Sequence, residues 1–274
     1  MTTVVKMKIP ARETPSVLFE NAAGFPDSAP AGRTVLVTGG TGGIGSAICK
    51  KMAGLGYLVA TTYRNEEKAR EWQNKSEKDG HSFYLYKCDV ANFDAAQNLV
   101  RDVTRDLGPV QILVNNAGIT RDSSLRKMTL EQWRDVIGSD LDSVFNVTRA
   151  AIEGMLTTGF GRIVNISSIN GQKGQFGQAN YSAAKAGVHG FTKALAQEVA
   201  RKNITVNTVS PGYVATDMIM AMPDDIRLSI EAQIPVGRFG RPEDVAHVVS
   251  FLISEDSGFI TGANISTNGG HFME

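Results

Sequence analysis

From Arg33 onward, short apolar runs that end in small or polar residues alternate with charged, helix-periodic stretches, without an intervening linker. No other feature constrains the fold as strongly. A strand, a helix of ~10–15 residues and a second strand make a right-handed βαβ unit, and repeating that unit builds a parallel sheet covered on both faces. The apolar runs are Thr34–Val37, Tyr57–Thr62, Phe83–Lys87, Ile112–Val114, Arg162–Ile166, Thr205–Val209 and Asn264–Thr267. Helices are predicted at Gly45–Leu55, Glu66–Lys78, Asp94–Leu107, Leu130–Met155 and Tyr181–Arg201, with a glycine-rich loop between Ser168 and Tyr181. The expected fold is α/β: a single doubly wound domain over residues 33–274, with a parallel sheet of about seven strands and helices on both faces. Residues 1–32 carry Pro10, Pro15, Pro26 and Pro30 and show no sustained period, so they read as an extended N-terminal arm.

Charge and cysteine content exclude several roles. Lysine plus arginine and aspartate plus glutamate are each 28, so the chain has no field with which to gather a phosphate backbone, and a nucleic-acid partner is not expected. Two cysteines, Cys49 and Cys88, are too few for a disulfide framework or a four-thiolate metal site, and no metal is expected. No apolar run approaches the ~20 residues of a membrane span. The N-terminus lacks a basic-then-apolar signal, so the expectation is a cytoplasmic protein with no membrane partner.

The first apolar run leads into Thr38-Gly39-Gly40-Thr41-Gly42-Gly43-Ile44-Gly45, where a helix is predicted to start. Glycines let the backbone turn tightly and approach a pyrophosphate, whose charge then meets free helix N-terminal amides. In that strand–turn–helix context the loop points to a bound dinucleotide. After the second run, the sequence Thr62-Tyr63-Arg64-Asn65 offers no carboxylate for a ribose 2′-hydroxyl before Glu66. Arg64 there favours a 2′-phosphate, hence NADP. Further on, Ser167-Ser168 precedes Tyr181-Ser182-Ala183-Ala184-Lys185. A tyrosine and a lysine four apart share a helix face. The ammonium stabilises the phenolate and brings a pKa near 10 toward the range of proton transfer.

Five motifs in order carry a resemblance: TGxxxGxG at Thr38–Gly45, NNAG at Asn115–Gly118, a serine thirteen residues before the tyrosine, YxxxK at Tyr181–Lys185, and Pro211-Gly212. Over residues 33–270 the chain resembles the short-chain dehydrogenase/reductase family, with its Rossmann-type fold. The resemblance implies that Tyr181 is the general acid, that Lys185 lowers its pKa and holds the nicotinamide ribose, and that Ser168 polarises the carbonyl. It further implies cofactor contacts from Gly39, Thr41, Gly43, Ile44, Gly45, Arg64, Asp89, Val90, Asn116, Ala117, Gly118, Tyr181, Lys185, Pro211, Gly212 and Thr216.

One position departs from the family pattern. Its fourth catalytic residue is an asparagine whose main-chain carbonyl holds a water on the lysine's proton relay, and this chain has Asp140 there, in Ser139-Asp140-Leu141-Asp142-Ser143. The carbonyl survives that change, whereas the amide donor is lost. The stretch Asn165–Gly187 resembles the acetoacetyl-CoA reductases of polyhydroxyalkanoate synthesis. That implies an acyl thioester substrate bordered by Gln175, Phe176, Gln178 and Tyr213, with residues Met218–Ile234 as a lid. The family habit, together with small residues on the Tyr181 helix, points to a homotetramer. Two alternatives are a 3-oxoacyl-(acyl-carrier-protein) reductase, with Arg121, Arg126 and Lys127 as a basic entrance, and a non-catalytic nucleotide-binding subunit.

Overall fold

The structure is a computed structural model and describes residues 32–273. The expected arm lies outside the described residues except for Gly32. The strands are β1 (Thr34–Val37), β2 (Leu58–Tyr63), β3 (Tyr84–Lys87), β4 (Val110–Asn115), β5 (Gly161–Ile166), β6 (Ile204–Pro211) and β7 (Asn264–Thr267). They form one seven-stranded sheet in the order β3-β2-β1-β4-β5-β6-β7, and every pairing is parallel. The helices are α1 (Gly43–Gly54), α2 (Glu66–Lys78), α3 (Phe93–Leu107), α4 (Leu130–Ile137), α5 (Ser143–Thr158), α6 (Ile169–Lys173), α7 (Ala179–Val199), α8 (Asp217–Met220), α9 (Asp224–Glu231) and α10 (Pro242–Leu252).

All four residues of β1 are buried, which is why the strand reads as a continuous apolar run rather than an alternating one. Val35 and Val37 face one layer with Ile48, Met52, Val245 and Val249 of α1 and α10. Leu36 points to the other face, with Leu99 and Val103 of α3 and Val147 and Ala151 of α5. The strand order reverses between β1 and β4, so the loops after these two strands diverge and leave a crevice at the carboxyl edge of the sheet.

The structure corrects the sequence reading in three places. The predicted helix Leu130–Met155 is interrupted by a π turn at Gly138–Asp142, which separates α4 from α5. The predicted loop after Ser168 begins with the short helix α6, capped by the Ser168 hydroxyl, which accepts from the Asn170 N–H at 3.1 Å. The third element, α10, was not anticipated. Pro242 stands in its first turn, and the Asp244 carboxylate accepts from the Arg241 N–H at 2.8 Å.

Candidate active site

The glycine loop is held by side chains from three neighbouring strands. The Thr38 hydroxyl accepts from the N–H groups of Asn116 and Ala117, both at 3.0 Å, and the Asn116 amide donates back to the carbonyls of Thr38 (2.9 Å) and Gly39 (3.1 Å). Thr62 and Thr61 at the end of β2 accept from the Gly39 and Gly40 N–H groups, each at 2.9 Å. The loops after β1 and β4 are thereby clamped across the switch point. A Cβ on Gly45 would lie 2.4 Å from the Gly39 carbonyl, so only glycine allows α1 to start this close to the turn.

The next residues along are the ones that could receive an anion. No side chain caps the N-terminus of α1, and its first turn contains no acidic residue. Its leading amides, at Gly43, Ile44 and Gly45, therefore present uncompensated donors and the positive end of the helix dipole. A Cβ on Gly43 would meet Thr216 Cγ2 at 2.7 Å, so Thr216, beyond Pro211-Gly212, sits directly over the loop. These groups fit a dinucleotide pyrophosphate. At the end of β2, Arg64 is exposed, Asn65 caps α2 through the Lys68 N–H at 2.9 Å, and Glu66 pairs with Arg70 at 2.6 Å. Asp89 is exposed beyond β3, and the adjacent Val90 is buried. Asn146 of α5 donates to the carbonyls of Val90 (3.1 Å) and Ala91 (3.0 Å), fixing that edge of the crevice.

Ser168 at the end of β5 and Tyr181 and Lys185 on α7 come together below this cradle. The Ser168 hydroxyl lies beside the Tyr181 phenol and favours its phenolate. Lys185 Nζ lies 5.6 Å from the Tyr181 ring centroid and donates to the Ile166 carbonyl at 3.0 Å. Ser167 takes a different part: its hydroxyl donates to the Lys185 carbonyl at 2.9 Å and fastens α7 to the strand end. Asp140, on the π turn, places Oδ2 3.2 Å from Lys185 Nζ, and Oδ1 accepts from the Ile119 N–H at 2.8 Å. Burial pushes the Tyr181 phenol above its ordinary pKa, the Asp140 charge adds to the rise, and Lys185 opposes it. Burial disfavours the Lys185 ammonium, but Asp140 and Tyr181 outweigh that effect and the net shift is upward.

Asn180, adjacent to Tyr181, was not anticipated from sequence. It is fully buried, donates to the carbonyls of Arg121 and Gln132 at 3.1 Å, and accepts from the Tyr181 N–H at 2.8 Å. This ties the start of α7 to α4 and to the loop after β4.

The expected substrate residues differ in their freedom. Phe176 is 90% exposed at the tip of the Gly174–Gln178 loop, and Gln175 beside it is exposed. Gln178 is already engaged. Its amide donates to both Asp122 oxygens (3.0 and 2.9 Å), and its carbonyl oxygen accepts from the Asn170 amide at 2.8 Å. Tyr213 is half-buried and stacks on His271 with ring centroids 5.8 Å apart. The Asp122 charge raises the pKa of both Tyr181 and Tyr213, after burial in each case, which places this carboxylate within electrostatic range of both phenols.

A glycine cradle at the switch point, with a tyrosine and lysine on the helix beside it, has counterparts in known proteins. The family described as enoyl-(acyl carrier protein) reductase matches residues 39–271, and the chain belongs to it, within the short-chain dehydrogenase/reductases. Among curated proteins, it is 53% identical to the acetoacetyl-CoA reductase of Allochromatium vinosum and 55% identical to that of Rhizobium meliloti. Each match covers 88% of this chain and 99% of the relative. A 3-oxoacyl-(acyl-carrier-protein) reductase of Vibrio cholerae is 43% identical, over 88% of this chain and 98% of the relative.

Proposed function

We propose that the protein is an NADPH-dependent reductase of short 3-oxoacyl thioesters that converts acetoacetyl-CoA to (R)-3-hydroxybutanoyl-CoA. The observation that carries the reading is the Tyr181 phenol, with the Ser168 hydroxyl beside it and a buried Lys185 behind it, next to a cradle for a dinucleotide. NADPH, when bound, supplies the hydride that reduces the ketone carbon. Ser168 donates to the carbonyl oxygen, Tyr181 gives it a proton, and Lys185 holds positive charge beside the phenolate left behind. Asp89, Val90, Asn116, Ala117 and Gly118 border the adenosine end, and Pro211, Gly212 and Thr216 the nicotinamide end. The higher identity to acetoacetyl-CoA reductases than to the acyl-carrier-protein reductase supports coenzyme A as the carrier. At the expected basic entrance, Arg121 pairs with Asp135 at 3.4 Å, which leaves less charge for an acidic carrier protein.

The assembly we infer is a cytoplasmic homotetramer, in line with the exposed apolar rings on its helices. Phe145 of α5 is 48% exposed and stacks on Phe93 of α3 with centroids 6.2 Å apart. Phe251 of α10 is 45% exposed.

Two measurements test the reading. If Arg64 reads the 2′-phosphate, Arg64→Asp removes a charge-assisted contact worth ~1.5–3 kcal/mol. NADPH affinity should then fall by about 10–100-fold, and relative use of NADH should rise. Parent-like affinity for NADPH would assign the 2′-phosphate to another residue. The second measurement is kcat/KM for acetoacetyl-CoA, 3-oxooctanoyl-CoA and an acetoacetyl-carrier-protein. Acetoacetyl-CoA should be the best of the three. Phe176→Ala should narrow the gap to the longer chain while slowing the short substrate through looser positioning. Preference of the parent for the carrier protein or the longer chain would make it a fatty-acid reductase instead.

A further inference from the structure

We propose that Asp140 is the counter-ion of Lys185 and that, by dividing the ammonium's charge between itself and the Tyr181 phenol, it sets the pH at which the enzyme passes from carbonyl reduction to alcohol oxidation. The proposal rests on the reductase reading above and adds to it a positioning role for one residue.

The geometry is specific. Asp140 is 0% and Lys185 3% exposed, so water does not screen the pair. Oδ1 is occupied by the Ile119 N–H at 2.8 Å. Oδ2 has no hydrogen-bond donor, yet it lies 3.2 Å from Lys185 Nζ, which donates to the Ile166 carbonyl. The contact is thus a charge pair more than a shared proton. Two local features make room for it. The π turn Gly138–Asp142 carries Asp140, and such turns add one residue to a helical circuit and redirect the side chains they carry. At Gly118, a Cβ would lie 2.5 Å from Asp140 Oδ2 and 3.3 Å from Lys185 Nζ, so glycine there leaves space for both charged ends.

A neutral asparagine in this place would leave Lys185 to act on Tyr181 alone. The carboxylate changes two things. It favours the charged lysine, which burial alone would disfavour, and it takes up part of the positive charge that would draw the proton off Tyr181. The directions bear on this: both Lys185 and Tyr181 are shifted upward with Asp140 contributing to each rise, and burial shifts the Asp140 carboxyl upward too, against the pull of Lys185 and the Ile119 N–H. The other groups facing the set are the Ser168 hydroxyl just after β5, which favours the phenolate, and Asp122 after β4, which disfavours it.

The sign follows directly. Reduction needs the Tyr181 hydroxyl and is lost as pH rises through the phenol's pKa; oxidation of the hydroxyacyl product needs the phenolate and is gained there. A higher pKa extends reduction to more alkaline pH and delays oxidation. The overall equilibrium is untouched, because both directions cross the same step.

The test compares parent and Asp140→Asn in pH profiles of kcat/KM, reducing acetoacetyl-CoA with NADPH and oxidising (R)-3-hydroxybutanoyl-CoA with NADP. Asparagine can still accept from the Ile119 N–H, so the turn is preserved. Both limbs should move to lower pH by about one unit, a roughly tenfold change in rate at a fixed pH on either slope. A merely structural role would scale the profiles without moving the limbs, and superimposable limbs would overturn the proposal. A thermal cycle gives an independent readout. Lys185→Met strands a buried carboxylate, so adding Asp140→Asn to that variant should raise its Tm by several degrees, whereas Asp140→Asn in the parent should lower Tm. Additive Tm changes would overturn the ion pair alone. Failure of the parent to reduce any 3-oxoacyl thioester would overturn the reductase reading and the pH switch with it, while the Tm cycle would still decide the pair.

Discussion

Tyr181→Phe should lower turnover by about 10²–10⁴-fold or more while leaving NADPH affinity close to that of the parent. The ring, its place on α7 and its packing are retained, and only the proton donor goes. Ser168 would still hydrogen-bond the carbonyl oxygen, and Lys185 would still sit 3.0 Å from the Ile166 carbonyl, so any residual rate measures polarisation without proton transfer. The measurement is the steady-state rate with acetoacetyl-CoA, alongside a fluorescence titration of NADPH. A parent-like rate would mean that the proton comes from elsewhere. Loss of cofactor binding would mean that the tyrosine supports the nucleotide rather than the chemistry.

Gly45→Ala should weaken NADPH binding by at least ~10²-fold, equivalent to roughly 3 kcal/mol. The added methyl would meet the Gly39 carbonyl at 2.4 Å, the Asn116 amide at 2.6 Å and Gly40 Cα at 2.9 Å. Two of those three atoms belong to backbone, so the strain cannot be relieved by turning a flexible side chain. Either α1 retreats, moving its N-terminal amides off the pyrophosphate, or Asn116 releases the carbonyls of Thr38 and Gly39. Overpacking of this kind also destabilises by about 1–3 kcal/mol, and a fall in Tm of several degrees should accompany the lost affinity. Parent-like affinity would show that the loop tolerates a wider turn and that the pyrophosphate is held elsewhere.

The sheet was legible because parallel strands buried on both faces lose their alternation and become plain apolar runs, as Thr34–Val37 does. Tyr181 and Lys185 were legible because one helix turn joins them, and the glycine loop because its glycines cluster between Gly39 and Gly45. The unread features depend on contacts distant in sequence. Nothing in Gly-Ser-Asp-Leu-Asp announces a π turn. The stripe of α10, Val245, Ala246, Val249 and Leu252, is widened by the partly buried Val248 and blurred by the exposed, apolar Phe251, so the helix shows little amphipathic contrast. Asn180 and Asn146 look like ordinary polar residues until the fold brings buried carbonyls to their amides. Thr38 was read as part of the phosphate loop, whereas its hydroxyl serves the neighbouring strand's loop.

Helix α6 is pressed against α7 so closely that a Cβ on Gly171 would lie 2.8 Å from the Lys185 carbonyl carbon. The segment between the two reactive hydroxyls is therefore anchored from both sides: α6 follows Ser168 directly, and Asn180 fixes the approach to Tyr181. What is left is a short tip at Gly174–Phe176, set off by positive φ angles at Gly174 (73°) and Gly177 (80°), while Gly177 and Gln178 are held by Ser123 and Asp122. A change of sequence or length in that tip would leave the serine and the tyrosine where their own anchors hold them. The fixed and the changeable parts of this segment adjoin in sequence yet are held by separate contacts.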